Sequence, residues 1–254
     1  MKIDVIFSPG LFPESFNGTL CSVIDVLRAT TTIITALASG AGKIYPCTNA
    51  DEARQQAKGL KDGLYLLGGE EKGQRITGFH LGNSPFEYLK LDYIKDKVIL
   101  FSTSNGTPVI KKAYSGSGLP VYLLALTNLS AASSAIVKSA LEQSLDEIFI
   151  VCSGSAGKPS LEDSFCAGLA VRETRQNLIR SGVNPALGDC ATIALQFAIK
   201  NAKNSSAMLA ESRHGRALQR IGFADDIEFA SRIDKYKIAP VFNGTAIVTD
   251  AELT

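Results

Sequence analysis

Short apolar runs of β character alternate with helical patterns through roughly the first two thirds of the chain, and few architectures accommodate that order. The runs reading as strands are Ile3 to Phe7, Leu20 to Val26, Lys43 to Cys47, Tyr65 to Leu67, Val98 to Ser102, Val121 to Ala125 and Ile148 to Cys152. Between them the pattern predicts a helix over about Thr30 to Ser39, stopped by Gly40. A second is capped by Asn49 with Glu52 three residues on, and a third follows Asn105-Gly106. From Leu161 the chain turns mostly helical. One helix is framed by Ser160 and Asp163 and runs to Gly182, one follows Gly188-Asp189, and one covers about Glu211 to Ile221. Val241 and Ala246 to Val248 read as a closing strand on a sheet edge. The expected fold is α/β: a three-layer α/β/α arrangement with a mainly parallel or mixed sheet and a helical C-terminal half. No Pro- or Ser-rich linker, low-complexity tract or repeat interrupts it, so residues 1–254 are expected to form a single compact domain. Two closely joined lobes with a boundary near 125–160 and a cleft between them are the alternative.

Charge and apolar run lengths exclude several classes of function. The formal net charge is +1, and no basic run is interleaved with aromatics, which argues against a nucleic-acid partner. No apolar stretch approaches the ~18 residues that a membrane span needs. The stretch Met1 to Phe7 becomes polar too early for a secretory signal, so a cytoplasmic location is expected. Five cysteines without a C-x-x-C pair suggest neither a disulfide framework nor a structural zinc site.

The stretch Val23-Ile24-Asp25-Val26-Leu27-Arg28-Ala29-Thr30-Thr31-Thr32 breaks the apolar pattern in an informative way. A carboxylate with four apolar neighbours reads as sitting at the tip of a buried strand, where it is costly unless an arginine or a metal ion compensates it. Three threonines then open a helix, and free amides with hydroxyls at a helix start form an anion seat. Loops after the other strands are similarly loaded: Gly68 to Glu71, Ser102 to Thr107 and Ser153 to Asp163. In α/β sheets such loops carry the ligand.

Each motif has a plainer reading beside the functional one. Ser102-Thr103-Ser104-Asn105-Gly106-Thr107 suits the close approach of backbone amides to a tetrahedral anion, and also a simple Asn-Gly turn. The run Cys152 to Lys158 resembles a cysteine-phosphatase loop but carries Lys158 where Arg is required, and Pro159 removes the P-loop metal ligand. Cys152 is therefore expected to end a buried strand. Leu27 occupies the second-Asp position of the aspartyl-phosphate hydrolases, which disfavours that family. Among the remaining carboxylates, Asp163 doubles as a capping-box partner of Ser160, Asp189 as a helix N-cap, and Asp225-Asp226 as a helix start. Arg213-His214-Gly215-Arg216 is either a solvated helix face or a contact to an anionic substrate.

These blocks together resemble the 2-phosphosulfolactate phosphatase family, also called ComB-like. The resemblance is carried by Val23 to Thr31, Leu67-Gly68-Gly69-Glu70, Gly78-Phe79 with Leu81-Gly82-Asn83-Ser84-Pro85, Ser104 to Thr107, Ser160 to Asp163, and Ser212 to Gly215, in order along nearly the whole chain. It implies a magnesium-dependent phosphoric monoester hydrolase that converts 2-phospho-3-sulfolactate into 3-sulfolactate and phosphate, a step of coenzyme M biosynthesis in methanogens. On that reading Asp25, Glu70 and Asp163 surround Mg2+, and Asp25, Arg28 and Asp189 are catalytic, with Asp189 a base or an outer partner. Arg28, Thr30, Thr31, Ser104, Asn105, Gly106, Thr107, Arg213 and His214 hold the small anionic phosphomonoester. Alternatives are a phosphatase of another small phosphorylated 2-hydroxy acid and a non-catalytic binder of phosphorylated or sulfonated metabolites. Assembly into a homo-oligomer stays open.

Overall fold

Alternate residues of the central strands feed two different helical layers in the computed structural model, which describes residues 1–89 and 91–250. Its strands are β1 (Lys2–Ile6), β2 (Leu20–Ile24), β3 (Lys43–Cys47), β4 (Tyr65–Glu71), β5 (Gln74–Arg75), β6 (Val98–Ser102), β7 (Val121–Leu124), β8 (Glu147–Cys152), β9 (Ala186–Leu187), β10 (Pro240–Phe242) and β11 (Ile247–Thr249). Its helices are α1 (Ala29–Ala38), α2 (Ala50–Ala57), α3 (Leu91–Ile94), α4 (Gly106–Ser117), α5 (Leu129–Glu142), α6 (Leu161–Arg180), α7 (Asp189–Asn201), α8 (Ser205–Glu211), α9 (Arg213–Arg220) and α10 (Ala224–Ala230). Leu20 and Ile24 of β2, Tyr122 and Leu124 of β7, and Ile148, Ile150 and Cys152 of β8 pack with Ile136 of α5, Phe165 of α6 and Ala194 of α7. The intervening Cys21, Val23, Val121, Leu123, Phe149 and Val151 pack with Ile33 of α1 and Ile110 of α4 on the opposite face. This period of two is the reason that the alternating runs in the sequence become the middle of three layers. The fold is α/β with a mixed sheet between helices. Among the described residues, no helix is long and apolar enough to cross a membrane.

Sheet order among the described residues is β5-β4-β6-β3-β11-β10-β7-β2-β8-β1-β9. β7, β2, β8, β1 and β9 are mutually parallel, and so are β3, β6 and β4. Three successive antiparallel pairings, β7 with β10, β10 with β11 and β11 with β3, reverse the sense between the two sets. At a twist of about 20–25° per step, the five steps from β2 to β6 turn the sheet by roughly 100–125°. A rotation of that size would bring nominally opposed strand ends toward each other, and Asp25 after β2, Glu70 of β4, Ser104 after β6 and Ser155 after β8 do line one cavity.

The expected edge strand is a correction. β10 and β11 lie in the interior of the sheet, where Val241, Phe242 and Ile247 are buried and join the two parallel sets. Pro240 is tolerated because it is the first residue of its strand. The helix expected over about Glu211 to Ile221 is α9, opened by Ser212, whose hydroxyl accepts the Gly215 N–H at 2.8 Å, and a short helix that the sequence reading did not include, α8, precedes it.

Candidate active site

β2 ends at Ile24, so Asp25 is the first residue beyond the strand and only 7% exposed. Its Oδ1 accepts the Ala29 N–H at 3.1 Å, which ties the carboxylate to the start of α1. Its Oδ2 has no hydrogen-bond partner among the described residues, and Asp25 borders a cavity of about 540 Å³. Burial raises the Asp25 carboxyl to about 7; Glu70 and Glu162 push it further, against the Ala29 amide and Arg28.

Glycine at 106 makes room for this carboxylate. A Cβ there would lie 2.5 Å from Ala29 Cβ and 2.8 Å from Asp25 Oδ2. Gly106→Ala is therefore expected to destabilise the fold by about 1–3 kcal/mol, as overpacking does, and to displace Asp25 Oδ2. Urea unfolding and turnover of the same variant check this, and a variant that is stable and fully active would refute the close fit.

The three threonines do not form the expected anion seat. Thr30 Oγ1 donates to Asp25 O at 2.9 Å, Thr31 Oγ1 to Val26 O at 2.8 Å and Thr32 Oγ1 to Asn83 O at 2.8 Å, and all three are fully buried. Their hydroxyls fix the turn from β2 into α1, and Asp25 itself takes the helix-start amide. Thr107 is likewise internal, bonded to Thr103. Ser104 and Asn105 do border the cavity.

Glu70 and Asp163 are brought close to Asp25, but their oxygens serve the backbone. Glu70 Oε2 accepts the Gly73 N–H at 2.6 Å and Oε1 the Ser104 N–H at 2.8 Å. Asp163 Oδ1 accepts the Val26 N–H at 2.9 Å and Oδ2 the Gly154 N–H at 3.0 Å. Each carboxylate thus clamps two loops together. Among the described residues no three His, Cys, Asp or Glu side chains converge as ligands of one ion, so the expected Asp25–Glu70–Asp163 cage is not formed. A different pair of oxygens is open. Asn83 lines the same cavity, is 5% exposed, and its Oδ1 is buried without a hydrogen-bond partner among the described residues. Two oxygen donors, Asp25 Oδ2 and Asn83 Oδ1, with three further carboxylates nearby, fit a hard divalent cation that keeps water and substrate among its ligands.

Arg28 borders the cavity but is firmly held. It donates to Asp226 Oδ2 at 2.7 Å and to Gly73 O at 2.8 Å, and its Cζ stands 4.4 Å from the centroid of the Phe223 ring. Ser84 Oγ donates to the other Asp226 oxygen at 2.6 Å. Arg213 and His214, at the start of α9, border the cavity, and Arg213 donates to Ser155 Oγ at 3.0 Å. Burial, then Arg28, lowers the His214 pKa, with Arg213 adding to this and Glu70 opposing it, so the imidazole is neutral at pH 7.

Asp189 is not brought to the site. It lies exposed in the first turn of α7, where Gly188 N–H donates to Ile3 O at 2.9 Å, in the amino-terminal half of β1 and away from the carboxyl ends that border the cavity. Cys152 ends β8, fully buried, with a thiol pushed well above its ordinary pKa by desolvation and then by Asp163, which is the opposite of an activated nucleophile. Asn83, Glu162 and Asp226 were missed as site residues. The signal for Asn83 was available, since it lies in the block Leu81 to Pro85, while Asp226 read as an ordinary helix start.

Comparison with known proteins points to one family. The family model described as 2-phosphosulpholactate phosphatase matches residues 6–245. The chain is 38% identical over 241 residues to a probable 2-phosphosulfolactate phosphatase of Pseudothermotoga lettingae, covering 94% of this chain and 95% of that one. It is 36% identical over 235 residues to one of Symbiobacterium thermophilum, covering 92% and 96%. It is also 36% identical over 249 residues to one of Thermotoga maritima, covering 98% and 99%.

Proposed function

The chain belongs to the 2-phosphosulfolactate phosphatase family, and on that premise we propose that it is a magnesium-dependent phosphatase hydrolysing 2-phospho-3-sulfolactate to 3-sulfolactate and phosphate. The observation that carries the reading is the Asp25 carboxylate, 7% exposed, with one oxygen free at the edge of a cavity that also holds Arg28, Arg213 and His214. Magnesium would be held by Asp25 and Asn83, and when bound it supplies charge neutralisation to the phosphoryl group.

The chain's own residues supply the rest. Arg213, exposed at the cavity wall, attracts the multiply charged substrate and anchors it by charge-assisted hydrogen bonds. Arg28 is oriented by Asp226 and Gly73, so its positive charge acts on the phosphoryl oxygens without any side-chain rearrangement. Ser104 and Asn105, just ahead of α4, offer donors at a helix start. As water bonds to phosphorus and the bond from phosphorus to the C2 oxygen breaks, neutral His214 takes the water proton and passes it to the leaving oxygen.

Phosphate release from 2-phosphosulfolactate, measured with magnesium and after treatment with a chelator, tests the reading. Turnover is expected only with the metal. Magnesium is also expected to raise the melting temperature, because a ligand bound to the native state stabilises it by mass action. Turnover unchanged by chelator would sink the metal dependence. Tight ligand binding without turnover would replace the enzyme by a binder, and turnover confined to other phosphorylated 2-hydroxy acids would replace the substrate.

A further inference from the structure

Arg213 and His214 reach the large cavity from α9, a helix of only 8 residues that follows one of 7. Helices so short do not hold themselves in water, where an isolated helix needs roughly 12–15 residues. The buried residues of α9 are Gly215 and Leu218, which leaves little apolar surface to fix its first turn. No hydrogen bond sets the His214 ring among the described residues; burial and the charges of Arg28, Glu70 and Arg213 act on it. Its place therefore follows its backbone, and that backbone needs an anchor.

Ser212 is the single residue between the two helices. Its φ of -64° and ψ of 158° are extended, which ends α8 and opens α9. Its N–H donates to Leu209 O at 3.2 Å, and its C=O accepts the Arg216 N–H at 3.0 Å. The corner is tight. A Cβ at Gly215 would lie 2.1 Å from Leu209 O, so only glycine lets the first turn of α9 pass the end of α8.

The Ser212 hydroxyl, in a residue 1% exposed, bonds in two directions. Its oxygen accepts the Gly215 N–H at 2.8 Å, which caps α9, and its O–H donates to the Glu162 carboxylate. Glu162 is 3% exposed in the first turn of α6, a helix of 20 residues, and its own amide also donates to the carboxylate. Amide, carboxylate and hydroxyl thus link the long α6 to the short α9.

We propose that Ser212 is a positioning residue of the reaction: through Glu162 it fixes the start of α9 to α6 and so sets His214 and Arg213 at the cavity. The inference rests on the reading of His214 as the proton acceptor. Glu162 serves Ser212 as a fixed hydrogen-bond acceptor. Proton transfer needs the imidazole within hydrogen-bond reach of the attacking water, so a shifted α9 start costs rate as well as stability.

The test uses wild type, Ser212→Ala, Ser212→Thr and His214→Asn, with two readouts. The first is kcat for 2-phosphosulfolactate with magnesium. Ser212→Ala is expected to lower it at least about tenfold, within the ~100-fold that a misplacement of about 1 Å can cost. Thr keeps the hydroxyl and is expected to restore most of the rate. The second readout is NMR titration of His214. The chain has two histidines, His80 and His214, so the signal missing from His214→Asn identifies the ring. In wild type it titrates below the ordinary 6.5, chiefly because it is buried. In Ser212→Ala the loosened ring meets more water and its pKa is expected to move up toward 6.5, while in Ser212→Thr it stays low. A Ser212→Ala protein that is less stable but keeps the kcat and the His214 titration of wild type would make Ser212 a plain helix cap and overturn the proposal. A fall in kcat with an unmoved titration would overturn it as well, leaving His214 as the acceptor. Full turnover by His214→Asn would remove the proton-acceptor reading and the proposal with it.

Discussion

Asp25→Asn is expected to lower phosphate release from 2-phosphosulfolactate by at least ~100-fold, the scale of loss when a carboxylate beside a metal is removed, and to make the metal-free protein harder to unfold. The second effect follows from linkage. Asp25 has its folded pKa raised to about 7 from an ordinary value near 3.8, chiefly by burial. A raised carboxyl pKa is a penalty on the native state: absent below about pH 4, growing between the two values, and complete above pH 7. At about 1.4 kcal/mol per pKa unit, the penalty removed by Asn is on the order of 4 kcal/mol. Asn keeps a carbonyl oxygen for the Ala29 N–H, so the start of α1 stays capped. Melting curves of the two metal-free proteins at pH 5 and pH 8 therefore diverge most at pH 8, with the variant higher. An inactive variant that is also less stable at pH 8 would mean that Asp25 is structural.

Asp226→Ala is expected to cost about 3–5 kcal/mol of stability, because removing one partner of a buried pair strands the other. Arg28 and Asp226 have side chains only 2% exposed each, at 2.7 Å. Without Asp226, the guanidinium keeps just the Gly73 carbonyl and the Phe223 face, and Ser84 Oγ loses its acceptor. This pair also joins α10 to the β2–α1 turn, so activity should fall with stability. Urea denaturation measures the loss. A cost below about 1 kcal/mol would place the pair with the weak ion pairs of exposed surfaces.

What the sequence revealed follows from which interactions are local. Strand and helix order was legible because residues such as Cys21 and Val23 face one layer and Leu20 and Ile24 the other, a pattern written in neighbouring positions. Asp25 was legible for a related reason: nothing among its apolar neighbours accounts for a charge. Pairings between remote segments were not. Arg28 and Asp226 are 198 residues apart, and Asp225-Asp226 is an ordinary helix opening until the partner is known. A carboxylate that serves backbone amides, as Glu70 and Asp163 do, has the same signature in sequence as one that binds a metal. Asp189 looked equivalent to both, yet it opens a helix beside the amino-terminal half of β1. The interior position of β10 and β11 was hidden because short strands carry little periodicity, and their role is to bridge two parallel sets.

Anomalous diffraction from crystals grown with Mn2+ in place of magnesium locates the cation itself. A single strong peak in direct contact with Asp25 Oδ2 and Asn83 Oδ1, at the edge of the large cavity, is the predicted result. A peak held elsewhere, in an enzyme that hydrolyses 2-phosphosulfolactate with Mn2+, would contradict the account.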